Sequence, residues 1–200
     1  MNNLRISAIT LLMAFHANAA TQEWVKKSNE NAKVLLETMA RFSPESAGST
    51  GVDGLDEQVS RIGTRIRAAS IAAEREALQE LTKRLKAETD IRVRQDLEIM
   101  ISETERSLHA EAVRDKLRLP YFSAGQLMFG GLRALLDDQV SPARRKAAMV
   151  RLKKYAGREP GFEPLTVQAQ KMLRERLADK SLLGHTKARW NKTLPTATSS

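Results

Sequence analysis

The segment that sets the fold is residues 71–88, which read IAAEREALQELTKRLKAE. Its bulky apolar residues return to one face of a helix, at Ile71, Leu78, Leu81 and Leu85. On the outer face, Glu80 precedes Arg84 by four residues, a spacing at which opposite charges pair along a helix. The segment is therefore predicted to be an amphipathic helix that turns one side toward a core.

A second long helix is predicted directly after the first. Thr89 or Asp90 can cap its start. A stripe at helical spacing follows: Val93, Leu97, Ile101, Thr104 and Leu108. The helix can continue to Arg118, because the proline of Leu119-Pro120 stops it. Since only a few residues separate the two helices, they are predicted to form an antiparallel hairpin.

Five further helices are predicted from amphipathic spacing and start signals. They are residues 23–41, a short piece over 55–63, 127–138, 142–157 and 164–183. The third of these follows a capping box, Ser123-x-x-Gln126, and the fourth follows Ser141-Pro142. Aromatic residues make up 4% of the chain, and runs of strand-forming residues are nearly absent. These features predict an all-α protein of about seven amphipathic helices in an antiparallel array.

The N-terminus has the pattern of an export signal. Arg5 precedes an apolar run, ISAITLLMAF, which is too short to cross a bilayer. Ala17-Asn18-Ala19 then has the small-x-small pattern of a signal-peptidase site. We expect residues 1–19 to be a signal peptide rather than the first helix of a cytosolic protein. The mature chain would begin at Ala20 or Thr21.

This N-terminus, with the absence of cysteine and of a later apolar run of transmembrane length, predicts a periplasmic or secreted location. The expected organisation is a helical domain over residues 20–190 and a disordered tail over 191–200. No transmembrane segment is expected.

The positive charge is concentrated toward the C-terminus. The chain carries a net charge of +9, and residues 142–192 contain fourteen Lys and Arg against four Asp and Glu. A basic segment can contact nucleic acid or anionic lipid. This one lacks interleaved aromatics for base stacking. We therefore expect a solvated helix face, or a face that meets an acidic partner, and no nucleic-acid partner.

Few residues are candidates for catalysis or metal binding. The histidines are His16, His109 and His185. Glu105 and His109 can share a helix face, but zinc needs three or four converging ligands, so a surface ion pair is expected instead. The chain has no cysteine nucleophile and no Gly-x-Ser-x-Gly elbow. No catalytic, cofactor-binding or metal-ligating residue is predicted.

Two pairs of neighbouring residues, one of aspartates and one of glycines, are each expected to have a structural role. Asp137-Asp138 lies at a helix end, where its acids are expected to cap a loop, with a contact to a basic residue as the alternative. Gly130-Gly131 lies inside an apolar helix and costs helix stability of about 1 kcal/mol per glycine. Close helix packing is the expected reason, and a substrate passing near the backbone is the alternative.

The loop over residues 48–59, GSTGVDGLDEQV, holds three glycines and three acids. It lacks the alternating acids of an EF-hand and the Gly-Lys-Ser/Thr of a P-loop. We expect Asp53 to be a helix N-cap, with Asp56 and Glu57 in the first turn of the helix that follows.

Several runs together resemble a bacterial family, domain of unknown function 885. They are FSPESAGSTGVDGLDEQV (42–59), RVRQDLEI (92–99), LPYF (119–122), GLRALLDD (131–138) and RLKKYAG (151–157). The match spans roughly residues 20–184 in collinear order. The resemblance implies an exported or lipid-anchored helical protein, similar to zinc metallopeptidases with a His-Glu-x-x-His motif in their C-terminal half.

This sequence contains no His-Glu pair. Zinc is therefore implied for full-length family members only, and no cofactor is assigned to this chain. The expected function is that of a non-catalytic N-terminal helical region, as a truncated gene, a frameshift or a fragment would produce. The resemblance implies a peptide substrate for the full-length form. The alternatives are a self-sufficient periplasmic binding or scaffold protein and, more weakly, a basic nucleic-acid binder.

Overall fold

The computed structural model describes the backbone of residues 3–183 and the side chains of residues 23–183. This part of the chain contains seven α-helices: α1 (Asn3–Phe42), α2 (Pro44–Ser49), α3 (Thr64–Ala87), α4 (Ile91–Leu117), α5 (Ala124–Leu136), α6 (Pro142–Tyr155) and α7 (Leu165–Leu177). Outside the helices, residues 3–183 contain an isolated β-bridge between Arg118 and Leu183 and no strand. The predicted all-α class and number of helices are confirmed.

Two sequence predictions concern residues whose side chains the structure does not describe. The signal peptide covers residues 1–19, and the tail covers 191–200. Both stay predictions. Within residues 3–183, no helix combines the length and the apolar character needed to cross a membrane.

Three predicted helix starts are confirmed by their capping hydrogen bonds. The carboxylate of Asp90 accepts from the Arg92 backbone N–H at 2.9 Å, one residue before α4. The hydroxyl of Ser123 accepts from the Gln126 N–H at 3.3 Å and opens α5. Ser141 does the same for α6 at 3.4 Å, ahead of a proline in the first turn. These starts follow from local chemistry, since each cap satisfies an N–H that the helix leaves free.

The segment between α1 and α3 differs from the prediction. Pro44 ends α1 but also begins α2, because a proline is well suited to the first turn of a helix. No helix covers residues 55–63, so the short helix predicted there is wrong. The next helix, α3, begins at Thr64, seven residues before the predicted segment.

The last helix also ends earlier than predicted, at Leu177 rather than Leu183. Beyond that end, Asp179 accepts hydrogen bonds from the backbone and the hydroxyl of Ser181. Such local side-chain bonds compete with helical ones and end the helix.

Within the described part of the chain, residues 3–38 and 73–106 form a compact unit, unit 1. Its core consists of the fully buried Leu81, Val93 and Leu97. They belong to the apolar faces predicted for α3 and α4. Arg94 of α4 also donates to the Leu85 carbonyl at 2.8 Å. These contacts confirm that the end of α3 packs against the start of α4 as an antiparallel hairpin.

The same unit joins α1 to α3 through Arg84. Its guanidinium donates to Glu80 at 2.8 Å, which is the predicted pair along α3. It also reaches the Glu30 carbonyl at 3.2 Å and the Asn31 side chain at 3.1 Å, both on α1. One arginine therefore links two helices that the sequence pattern treats separately.

Within the described part of the chain, residues 39–72 and 107–183 form a second compact unit, unit 2. One buried cluster contains Ala124, Tyr155 and Leu165, and another contains Leu135, Ala147 and Ala148. These clusters pack α5 against α6 and α7. The loop after α2 also contacts α6, because the Arg151 guanidinium donates to the carbonyls of Leu55 and Gln58.

The turn after α6 is set by Gly157, which has φ +67°. The Arg158 N–H bonds to the Lys153 carbonyl at 2.8 Å, and the Gly157 N–H to the Lys154 carbonyl at 3.1 Å. These two bonds form a Schellman C-cap, which requires the left-handed conformation that glycine adopts without strain. The predicted end of this helix near Gly157 is confirmed.

Candidate functional site

A buried polar network fixes the segment between α2 and α3. The carboxyl group of Glu45, on α2, accepts the Tyr155 hydroxyl at 2.8 Å and the Ser60 N–H at 2.9 Å. The Ser60 hydroxyl donates to the other oxygen of the same carboxyl group. Burial and the neighbouring Glu45 raise the pKa of Tyr155 above its ordinary value. Tyr155 therefore stays a neutral donor that holds α2 to the end of α6.

Arg151 holds the same segment from α6. Its side chain is 2% exposed, and its guanidinium donates to the carbonyls of Leu55 at 2.8 Å, Gln58 at 3.0 Å and Gly131 at 2.7 Å. Two of these carbonyls belong to the segment for which a helix is predicted from the sequence. Because the arginine satisfies them, this segment needs no helical hydrogen bonds.

Asp56 and Glu57 of the loop contact basic residues of α6 and do not lie in the first turn of a helix. Asp56 accepts two hydrogen bonds from Arg144, each of 2.8 Å, and the Glu57 carbonyl accepts from Lys154 at 2.7 Å. The hydrogen bond from Arg144 lowers the pKa of Asp56, with its charge adding to the effect. The predicted Asp53 cap, with acids in a first helical turn, is therefore wrong. The basic residues of α6 meet an acidic loop of the same chain.

The two glycines of α5 have different roles. A β-carbon on Gly131 would overlap the Tyr155 hydroxyl and lie 3.1 Å from Cγ of Glu45. A β-carbon on Gly130 would meet no atom within 4 Å. The close-packing interpretation is therefore confirmed for Gly131, which lets α5 approach the buried network.

The other residues considered for metal binding or capping lie at the surface. Glu105 and His109 are exposed, and neither forms an ion pair within residues 23–183, so the pair predicted between them is not found there. Asp137 is the C-cap of α5, and its carboxylate accepts the Gln139 N–H at 3.0 Å. The loop-capping interpretation is confirmed for Asp137.

Zinc, which the family resemblance implies for full-length members, finds no fitting ligand set in this part of the molecule. Among residues 23–183, no three His, Cys, Asp or Glu side chains are grouped closely enough to hold one metal ion. His185 lies outside the described residues.

Unit 2 contains a cleft of about 650 Å³ beside the buried network. This volume lies within the range of roughly 300–1,000 Å³ that is usual for small-ligand sites. Ser60 of the network contributes to the wall. The apolar lining residues are Phe42, Ile62, Ile66, Leu119, Pro120, Tyr121, Phe122, Leu127 and Met172. The cleft therefore combines this apolar wall with serine hydroxyls and charged side chains.

The charged lining of this cleft is strongly positive. It consists of four arginines and one acid: Arg61, Arg67, Arg114, Arg118 and Glu111. Glu111 pairs with Arg67 at 2.8 Å and with Arg114 at 2.8 Å. These pairs neutralise part of the charge and fix two of the arginines in place.

The other two arginines form no ion pair with an acid among the side chains that the structure describes. Arg61 lies over the ring of Phe162, with its guanidinium carbon 5.0 Å from the ring centre. Arg118 forms no ion pair with any residue in the 23–183 range. A cleft with an apolar wall and a guanidinium group that lacks an acidic partner among these residues can bind an apolar ligand that carries a negative charge.

Neither the buried network nor the cleft is predicted from the sequence. One signal was available for Arg151: it lies three or four residues from Ala147, Ala148 and Tyr155, on the buried face of α6. A basic residue on an apolar face indicates a buried partner, since an unpaired buried charge is costly. The partners are distant backbone carbonyls, which carry no signal in the sequence.

Comparisons with protein-family models, with curated proteins and with solved structures give no match for this chain.

Proposed function

We propose that this chain is a non-catalytic, peptide-binding helical region of an exported, metallopeptidase-like protein. The cleft of unit 2 is the observation that carries the proposal. In this function the cleft holds a short peptide and presents it, while the catalytic groups come from outside the described residues. The collinear runs that resemble domain of unknown function 885 support the peptidase-like assignment.

The chemistry of the cleft supports a peptide ligand. Its apolar wall includes the half-buried Phe122 and Leu127, which also pack on the core cluster of Tyr155 and are therefore held in place. The exposed ring of Tyr121 adds apolar contact area at the rim. Side chains that are fixed before binding lose little conformational entropy when the ligand arrives.

The test uses the purified 200-residue chain and a fluorescently labelled library of short peptides. We expect binding to peptides rich in apolar residues and no hydrolysis, with or without added zinc. Substitution Tyr121→Ala should weaken binding, because it removes aromatic contact area at the rim of the cleft. The matched control is Phe129→Ala, since Phe129 is also an exposed aromatic, at 66%, but lies outside this cleft.

Equal effects of the two substitutions would place peptide binding elsewhere on the surface. Peptide hydrolysis that requires stoichiometric zinc would overturn the non-catalytic part of the proposal. No binding to any peptide would overturn the proposal as a whole.

A second candidate function is a self-sufficient periplasmic binding or scaffold protein. Unit 2 favours it, because the Glu45, Ser60 and Tyr155 network is satisfied within the unit. A monomer that melts in one cooperative transition supports this alternative. A molten, aggregating chain supports the region of a larger protein.

A further inference from the structure

We propose that the cleft of unit 2 recognises the C-terminal carboxylate of its peptide, and that Arg118 is the residue that binds it. This inference rests on the proposed function, because it names the part of the peptide that the cleft selects. Four arginines line the cleft, and they differ in whether another group of the protein already occupies them.

Two of these arginines are already occupied. Arg67 binds Glu111 at 2.8 Å and Asp115 at 3.3 Å. Arg114 binds Glu111 through two nitrogens, at 3.1 Å and 2.8 Å. An incoming carboxylate would have to displace an existing carboxylate at either position. Neither arginine is therefore the main anchor.

Arg61 is occupied in a different way. Its guanidinium lies against the Phe162 ring, which also has the Lys154 ammonium at 5.2 Å from its centre. Moving Arg61 toward a ligand would give up this cation–π contact. Its charge still adds to the positive potential of the cleft.

Arg118 has no ion-pair partner among the described side chains, and its backbone is fixed. It follows the last residue of α4, and its own position is held by pairing of the flanking residues with Leu183. The Leu183 N–H bonds to the Leu117 carbonyl at 2.8 Å, and the Leu119 N–H bonds to the Leu183 carbonyl at 3.1 Å. The guanidinium therefore belongs to a residue whose backbone is fixed at the cleft wall, and no acid among residues 23–183 neutralises it.

The surroundings of Arg118 favour a chain terminus over an acidic side chain. Leu119, Pro120 and Phe122 follow it directly and line the same cleft. In a C-terminal residue, the carboxylate and the side chain are attached to the same carbon. An apolar last residue can therefore contact this apolar wall while its carboxylate takes a two-pronged hydrogen bond from the guanidinium.

The experiment measures fluorescence anisotropy of a labelled hexapeptide ending in leucine, as the free acid and as the C-terminal amide. With the unaltered chain, the free acid should bind about tenfold or more tightly than the amide, as expected for a charge-assisted hydrogen bond. In Arg118→Gln this ratio should fall to about one, while amide binding stays unchanged. Arg118→Lys should keep an intermediate ratio, because lysine keeps the charge but not the paired donors.

The control is Arg133→Gln, since Arg133 is exposed on α5 and lies outside the cleft. It should keep the full ratio. Equal binding of acid and amide by the unaltered chain would overturn the inference and leave the proposed function standing. Failure of both peptides to bind would overturn both proposals. Displacement of the peptide by decanoate at a lower concentration than by unlabelled peptide would assign the site to fatty acids and overturn the inference.

Discussion

The hydroxyl of Tyr155 occupies the space in which a β-carbon on Gly131 would lie. The same hydroxyl donates a hydrogen bond of 2.8 Å to Glu45, so it cannot move away without breaking a buried contact. A side chain on α6 thus determines which residue α5 can carry at its point of closest approach. The stability of unit 2 should depend on this relationship.

The first prediction compares the two glycines of α5. Gly131→Ala should destabilise the protein by about 1–3 kcal/mol, because the added methyl group overpacks a site next to Tyr155 and Glu45. Gly130→Ala should stabilise it by up to about 1 kcal/mol, because alanine is the better helix former and the site is open. Urea unfolding followed by circular dichroism measures both. Equal shifts in the two variants would contradict the packing argument.

The second prediction concerns Arg151. Its replacement by methionine leaves three backbone carbonyls without a donor, and each such loss costs about 1–3 kcal/mol when the group stays buried. We expect Arg151→Met to lose more than about 3 kcal/mol of unfolding free energy, or not to fold.

Arg145→Met is the control for this variant. Arg145 lies on the same helix and forms no ion pair in the described chain, so its change should stay within about 0.5 kcal/mol. Hydrogen exchange gives a second readout: in a folded Arg151→Met protein, protection should fall first in residues 55–60. Unchanged protection there would argue against a role for Arg151 in holding this segment.

The third prediction follows from the raised pKa of Tyr155. Since the folded state favours the neutral phenol, Tyr155 contributes stability that is present below its ordinary value of 10.0 and is lost as pH rises above it. The chain has two tyrosines. The Tyr155 half of the tyrosinate absorbance at high pH should therefore appear only when the protein unfolds.

Spectrophotometric titration of the native and the guanidinium-unfolded protein measures this difference. In Tyr155→Phe, the part of the tyrosinate absorbance that appears only on unfolding should be absent. A native protein in which Tyr155 ionises freely near its ordinary pKa would show that the hydroxyl is not buried against Glu45.

The fourth prediction concerns Asp56. Its pKa is lowered by the hydrogen bond from Arg144, so this contact contributes stability above the ordinary value of 3.8. The contribution is lost as pH falls below that value through the lowered pKa. Arg144→Gln should raise the pKa of Asp56, as measured by NMR titration of its carboxyl carbon.

The accompanying loss of stability should be small, because the pair is largely exposed to solvent. It should also disappear in strong acid, where Asp56 is protonated with or without its partner. Arg145→Gln, on the same helix, serves as the control and should leave the pKa of Asp56 unchanged.

The fifth prediction concerns the N-terminus. If residues 1–19 are a signal peptide, Edman sequencing of the protein from its own cell envelope should begin at Ala20 or Thr21. Substitution Ala19→Arg should block this cleavage, because the signal-peptidase site needs a small residue there. A mature protein that begins at Met1 would remove the signal-peptide assignment.

The sequence by itself determined the apolar faces of the two long helices, α3 and α4, and several helix ends. In α3 and α4, the apolar residues around Leu81 and Leu97 repeat at helical spacing, and they form the core of unit 1. Asp90, Ser123 and Ser141 act as caps because their oxygens reach N–H groups only a few residues away. All these interactions are local, so the pattern of neighbouring residues is enough to predict them.

Only the tertiary structure decided the conformation between α2 and α3. Local chemistry favoured a helix after Asp53, yet the carbonyls of Leu55 and Gln58 bind Arg151, which lies more than ninety residues further along the chain. Backbone carbonyls are the same in every residue, so no feature of the sequence identifies these two as its partners. The cleft is likewise assembled from distant segments. Arg67 and Arg114 have an acidic partner and Arg118 has none among the described residues, and this difference depends only on what the fold places beside each arginine.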